Sequence, residues 1–287
     1  MINTLLEHTF HTINGIQMHV VMAGPEDGTP VVLLHGFPEF WFSWREQIDA
    51  LANAGFRLYI PDLRGYNLTD KPEDAEAYSL DTLADDVAGL IDLTGQEKAL
   101  VVGHDWGGAA AWWLANRNPE RIKKFVALNV PHHRAFRNTL QENWGQRFKS
   151  TYMVFFQIPT VPEKLLRLRD WNLLAKTAFG SDHDAFPPEV IDRYKEAWSQ
   201  PGALTGMLNW YRGLRKAPPA HLSNPNIQVP VLIIWGKQDP VLKPDMAQKS
   251  LEYCDNGRLY YIEEASHWVQ HEAPEEVNRL LIDWLSD

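Results

Sequence analysis

Apolar residues in this chain gather in short runs that close on turn residues: Val31–Leu34, Arg57–Ile60, Ala99–Val102, Phe125–Leu128, Val231–Trp235 and Arg258–Ile262. Each has the length of a strand buried on both faces. Stretches with the spacing of an amphipathic helix separate several of them, Leu83–Leu93 among them. Strand and helix in alternation predict an α/β fold, with an open, mostly parallel sheet flanked by helices. Near the N-terminus, Thr9–Ile13 and Gln17–Val21 flank Asn14-Gly15. That dipeptide is a strong two-residue turn signal, so this pair is expected to form an antiparallel hairpin at the sheet edge.

The alternation fails between about His132 and Pro225, where the pattern reads as helices broken by Pro159, Pro162, Pro187-Pro188, Pro201 and Pro218-Pro219. This segment follows the fourth parallel-type strand. An insertion there lies across the carboxyl ends of the strands, where open α/β sheets place their active sites. The expected organisation is therefore a core domain from residues 1–131 and 226–287 and a helical lid, or cap, over 132–225. No internal repeat or low-complexity tract is apparent.

Composition narrows the function classes. The 287 residues include twelve tryptophans, and so many large flat side chains suggest an apolar pocket as well as a core. A formal net charge of −10 argues against nucleic acid and gives an anionic ligand no long-range attraction. A small, neutral, apolar molecule fits better. The single cysteine, Cys254, forbids an internal disulfide. No basic leader segment and no run of roughly 20 apolar residues is present, so the expectation is a cytoplasmic protein without a membrane partner.

Candidate chemistry centres on Gly103-His104-Asp105-Trp106-Gly107-Gly108, which follows the run Ala99–Val102. The pattern is that of a nucleophile elbow, a tight strand-to-helix turn that needs small neighbours, with aspartate where serine usually stands. A carboxylate nucleophile attacks saturated carbon and leaves an ester on the enzyme, whereas a serine attacks carbonyls. His35-Gly36-Phe37-Pro38 follows the run Val31–Leu34, the place of the loop that lends an N–H to an oxyanion hole. The two donors would be the backbone N–H groups of Phe37 and Trp106.

An ester on aspartate needs a base to activate water and a carboxylate to orient the base, in the chain order nucleophile, acid, histidine. Asp239, after Val231–Trp235, and His267, after the last strand, satisfy that order. The competing acid position, after Leu128, holds Asn129. His271 could share a helical face with His267, but the intervening residues lack a metal-peptidase glutamate. His104 reads as a packed core residue, and His132-His133 open the lid too early in the chain to supply the base. No metal site is expected.

Together these segments resemble the α/β-hydrolase family and, within it, the soluble epoxide hydrolases, the bacterial ones most closely. The resemblance runs through His35-Gly36-Phe37-Pro38-Glu39 with Trp41, Ser43-Trp44-Arg45, then Asp62-Leu63-Arg64-Gly65-Tyr66, the Asp105 elbow and Ser266-His267-Trp268. It implies two lid tyrosines facing the nucleophile, matched by Tyr152 and Tyr211. A phenol stays protonated at neutral pH and can donate to the alkoxide of an opening epoxide. Tyr194 reads as packing. The implied activity is hydrolysis of epoxides to vicinal diols through a hydroxyalkyl ester on Asp105, without a cofactor. Phe37, Trp106, Phe136, Trp144, Phe155 and Trp210 are the expected pocket walls.

Haloalkane dehalogenases are the alternative, since they also use aspartate followed by tryptophan; Phe37 and the paired tyrosines weigh against them. Fluoroacetate dehalogenases place arginines soon after the nucleophile, where this chain has Trp106 and an alanine run. A binding protein on the same fold would not require nucleophile, acid, base and two phenols together. The sequence does not specify the oligomeric state.

Overall fold

The computed structural model describes residues 2–180, 184–217 and 225–287. All six apolar runs form strands: β3 (Thr29–Leu34), β4 (Phe56–Pro61), β5 (Ala99–His104), β6 (Ile122–Leu128), β7 (Val231–Gly236) and β8 (Gly257–Ile262). β5 and β7 are buried along their whole length, which is why their sequences are continuously apolar rather than alternating. The N-terminal hairpin comprises β1 (Leu6–Ile13) and β2 (Ile16–Ala23). Its turn residues Asn14 and Gly15 have φ of +46° and +78°, the left-handed pair that matches the twist of adjoining strands.

These strands form one eight-stranded sheet in the order β1-β2-β4-β3-β5-β6-β7-β8. The pairings β1/β2 and β2/β4 are antiparallel and the rest parallel. Helices α1 (Ile48–Asn53), α2 (Leu80–Leu93) and α3 (Asp105–Arg117) lie between the strands of the first half. The start of α2 is capped by Ser79, whose Oγ accepts the Thr82 N–H at 3.1 Å. The chain is an α/β-hydrolase fold.

Between β6 and β7 the described residues form helices, with one isolated bridge from Ile227 to Cys254: α4 (His133–Glu142), α5 (Trp144–Lys149), α6 (Thr151–Phe155), α7 (Val161–Leu166), α8 (Asn172–Phe179), α9 (Pro188–Trp198) and α10 (Ala203–Lys216). Pro162 and Pro188 stand in the first turns of α7 and α9, where a missing N–H costs nothing, so they begin helices rather than break them. Pro218-Pro219 lies outside the described residues. Helices α11 (Asp245–Leu251), α12 (Val269–Glu272) and α13 (Pro274–Ser286) complete the chain.

Several of the tryptophans fasten this helical insertion to the sheet domain. Trp198 Nε1 donates to the Pro38 carbonyl at 2.6 Å and Trp210 Nε1 to the Arg64 carbonyl at 2.8 Å. From the other side, Trp268 Nε1 donates to the Ala178 carbonyl at 2.9 Å. Each indole buries a large apolar surface and still satisfies its one donor. The insertion is thereby held across the loops that follow β3, β4 and β8. Among the described residues, no helix is long and apolar enough to cross a membrane.

Candidate active site

Strand β5 ends at His104 and α3 begins at Asp105, so the chain reverses with no loop between them. Asp105 consequently has a φ of +47°. A non-glycine residue in that region costs about 1–3 kcal/mol and persists only where its surroundings impose it. The neighbouring glycines make the turn feasible. A Cβ on Gly103 would lie 2.6 Å from Gly108 Cα, and one on Gly107 would lie 2.6 Å from the Leu34 carbonyl oxygen.

The turn aims the Asp105 carboxylate at groups delivered by neighbouring strand ends. Its Oδ1 accepts the Phe37 N–H, from the loop after β3, at 2.9 Å. Its Oδ2 lies 3.7 Å from His267 Nε2, from the loop after β8. The other ring nitrogen, His267 Nδ1, is 2.8 Å from Asp239 Oδ2, from the loop after β7. Asp239 is fixed in turn: Oδ1 accepts the N–H groups of Val241 at 2.7 Å and Leu242 at 2.8 Å, and Oδ2 accepts Asn129 Nδ2 at 2.8 Å. Asn129, rejected as an acid on sequence grounds, therefore sits beside the acid as a donor, and its Oδ1 accepts the Gly236 N–H at 2.9 Å.

Burial disfavours charge on all three groups, and their mutual attraction outweighs it. The carboxyls of Asp105 and Asp239 are held below the usual carboxylate range, chiefly by the His267 ring. The two carboxylates in turn push His267 up to about 10. At neutral pH this is an imidazolium between two carboxylates.

Asp105 opens onto a cavity of about 760 Å³, also lined by Trp106, Phe136, Tyr152, Met153 and Tyr211. Tyr152 on α6 and Tyr211 on α10 meet edge to face with ring centroids 5.8 Å apart. Tyr211 also stands edge-on to Trp106 at 4.9 Å and to Phe37 at 5.4 Å. Burial, reinforced by the Asp105 carboxylate, raises both phenols, so both keep their protons. The Trp106 indole opposes the rise at Tyr211 without reversing it.

The structure brings Asp105, Asp239, His267, Tyr152 and Tyr211 into one constellation, but it redistributes the expected pocket walls. Trp106 and Phe136 line the cavity. Phe37 packs beside Tyr211 and Phe156 without lining it, although its N–H reaches Asp105. Trp210 is buried behind Trp106 against Tyr66. Phe155 is half-buried beside Phe156 and outside the lining. Trp144 is 79 % exposed on the outer face of α5, covered on one side by the Arg147 guanidinium at 4.7 Å. His133 does line the cavity, while His132 is buried against Trp112 and Tyr253.

Sequence reasoning assigned nothing to Glu39. Its carboxylate is fully buried and accepts from Tyr194 Oη at 2.9 Å, His271 Nε2 at 2.7 Å and Gln270 Nε2 at 3.2 Å, and it faces His104 Nδ1 at 3.2 Å. Burial opposes its charge, but the His271 and His104 rings hold the carboxyl well below its ordinary range. His271 itself is pushed down to about 4 by burial and by Arg45, so it is neutral and donates from Nε2. Tyr194 thus anchors this carboxylate as well as packing. A glutamate inside an apolar stretch was the available signal, since a charge fully removed from water requires partners.

Comparisons with known proteins place the chain in a family. The family profile described as "alpha/beta hydrolase fold" matches residues 29–274. The AB hydrolase superfamily protein YfhM of Bacillus subtilis is 49% identical over 280 residues, 97% of each chain. Human epoxide hydrolase 4 is 36% identical over 281 residues, 96% of this chain and 77% of that one. Among solved structures, an epoxide hydrolase of Bacillus megaterium in complex with an inhibitor superimposes with a TM-score of 0.89 at 33% identity, covering 97% of this chain and 100% of that one. With an aspartate at the elbow, and with relatives of this similarity along nearly its whole length, the chain belongs to the α/β-hydrolase family, in the group that contains the epoxide hydrolases.

Proposed function

We propose that this protein hydrolyses epoxides to vicinal diols through an ester on Asp105. The observation that carries the reading is a single carboxylate bound by the Phe37 N–H, 3.7 Å from His267, and sharing a cavity with two protonated phenols. Relatives named as epoxide hydrolases support the same substrate class.

In the first step one Asp105 oxygen attacks a ring carbon and forms a C–O bond, while the strained C–O bond breaks toward the epoxide oxygen. Tyr152 and Tyr211 hold that oxygen and supply a proton to the alkoxide. The carboxylate becomes a neutral hydroxyalkyl ester. His267 thereby loses one of the two anions that raise its pKa, and its proton passes to the tyrosinate left by ring opening, which restores the phenol and frees the imidazole to act as a base. In the second step His267, oriented by Asp239, takes a proton from water, and the resulting hydroxide adds to the ester carbonyl. Negative charge develops on the carbonyl oxygen, where the N–H groups of Phe37 and Trp106 receive it. Collapse breaks the ester C–O bond, the diol leaves with the proton returned by His267, and the carboxyl proton left on Asp105 passes to His267, which restores the starting state.

On this reading residues 132–225 act as a lid that carries Tyr152 and Tyr211 and excludes bulk water. Phenols suit an oxygen leaving group, which needs a proton, rather than a halide, which needs none. A single turnover of styrene oxide with excess enzyme in heavy-oxygen water tests the covalent step. The label is expected in Asp105, with unlabelled first-turnover diol; label in that first diol refutes the ester. A bromoalkane incubated in parallel should release no bromide.

A further inference from the structure

We propose that the outer face of the helical insertion, α5 to α8, docks peripherally on anionic phospholipid bilayers. Among the described residues, eight of the twelve large hydrophobic side chains exposed to solvent fall between Trp144 and Leu173. Trp144, Phe148 and Val154 are 79 %, 80 % and 71 % exposed, and Ile158, Leu165 and Leu168 continue the series. Monomeric surfaces seldom concentrate such side chains in one segment without a partner.

Charge identifies the partner. Residues 144–179, which span α5 to α8, contain six Lys or Arg and two Asp or Glu, a formal +4 within a chain whose total is −10. Both acids in this stretch are already paired, Glu163 with Arg212 and Asp170 with Lys195. Lys164, Arg167, Arg169 and Lys176 are exposed with no carboxylate partner among the described residues. A second copy of this chain meeting the same face would set positive charge against positive charge. A bilayer with anionic headgroups complements both features, because long basic side chains reach headgroup phosphates while the aromatic and aliphatic groups enter the acyl boundary.

The face adjoins the cavity. Tyr152 and Met153 on α6 line it, whereas the next residue, Val154, points outward. Docking would therefore bring the site close to apolar molecules dissolved in the membrane. The expectation of no membrane partner rested on the lack of a spanning segment, which does not bear on peripheral binding.

The test is co-sedimentation of the full chain with sucrose-loaded vesicles at low salt. We expect the protein to pellet with equimolar phosphatidylcholine and phosphatidylglycerol, to remain in solution with phosphatidylcholine alone, and to be released by high salt. Phe148→Ser combined with Leu168→Ser, and separately Lys164→Glu combined with Lys176→Glu, should each weaken binding by at least about tenfold. All four side chains are exposed, so circular dichroism and styrene oxide turnover should be unchanged. Equal sedimentation of wild type and either variant overturns the proposal, as does failure of the wild type to bind anionic vesicles. A lipid-free dimer that the Phe148/Leu168 variant dissolves would instead assign the face to a second copy.

Discussion

His104 Nε2 lies 2.9 Å from the backbone carbonyl oxygen of His267, so a residue inside the nucleophile turn holds the base by its main chain. Its other nitrogen faces Glu39, which places a buried carboxylate two contacts behind the imidazole. Removing that carboxylate should matter out of proportion to its distance from the cavity. Glu39→Ala leaves His271, Gln270 and Tyr194 without their shared acceptor, and each buried donor left unsatisfied costs about 1–3 kcal/mol. We expect a lower urea midpoint, with Glu39→Gln intermediate because it keeps one acceptor oxygen. An unchanged midpoint in Glu39→Ala would show that the network adds no stability.

The raised pKa of His267 sets the sign of two pH effects. Its folded value, about 10, lies above the unfolded value of roughly 6.5. The stability it contributes is therefore present in full below about pH 6.5, declines as pH rises, and is gone above about pH 10. Thermal unfolding of the wild type should fall across this window, and His267→Gln should flatten that decline. In single-turnover kinetics, ester formation should be nearly flat from pH 6 to 9, because Asp105 is already ionised. Ester hydrolysis should rise with pH as His267 loses its proton. The opposite assignment of flat and rising phases would contradict the proposed roles.

Loss of the base should separate the two steps. In His267→Gln, Asp105 and both phenols remain, so alkylation proceeds and hydrolysis does not. Intact-protein mass spectrometry after incubation with styrene oxide should show a stable increase equal to one substrate molecule. Full turnover with no adduct would mean that His267 is not the base.

Tyr152→Phe and Tyr211→Phe should each slow ring opening, and the double change should nearly abolish it, within the range of about 10²–10⁴ that a positioned acid contributes. The affected phase is ester formation; hydrolysis of an ester already formed should change little. A single variant that slows hydrolysis alone would remove the phenols from the first step.

How much of this was legible in the sequence follows from the distance over which each feature is encoded. The sheet was readable because each buried strand carries its own continuous apolar run, and Asn14-Gly15 specifies its hairpin locally. Asp105 stood out because its turn demands small residues within a few positions, and Asp239 and His267 because each directly follows a strand. Glu39 was not legible: its partners lie 65, 155 and 232 residues away, and no local pattern encodes them. Trp144 was misplaced for a related reason. Whether an aromatic residue on a short helix faces the cavity or solvent depends on how that helix is rotated about its axis. Asn129 showed its strand-end position, but its chemistry as a donor to Asp239 appears only when β6 and β7 are neighbours.

Gly36 offers a test that separates geometry from chemical identity. A Cβ built there would lie 2.7 Å from Asp105 Oδ1, closer than side chains tolerate, and the neighbouring residue supplies the N–H that Oδ1 accepts. Gly36→Ala therefore keeps every reacting group chemically intact but displaces the carboxylate from both Phe37 and the line of attack. Displacement by about 1 Å can cost about a hundredfold in rate. We expect ester formation to fall by at least that factor while thermal stability changes modestly, since relief of the strained Asp105 backbone offsets part of the clash. Gly36→Ala with wild-type ester formation would mean that the carboxylate does not need the Phe37 contact to attack.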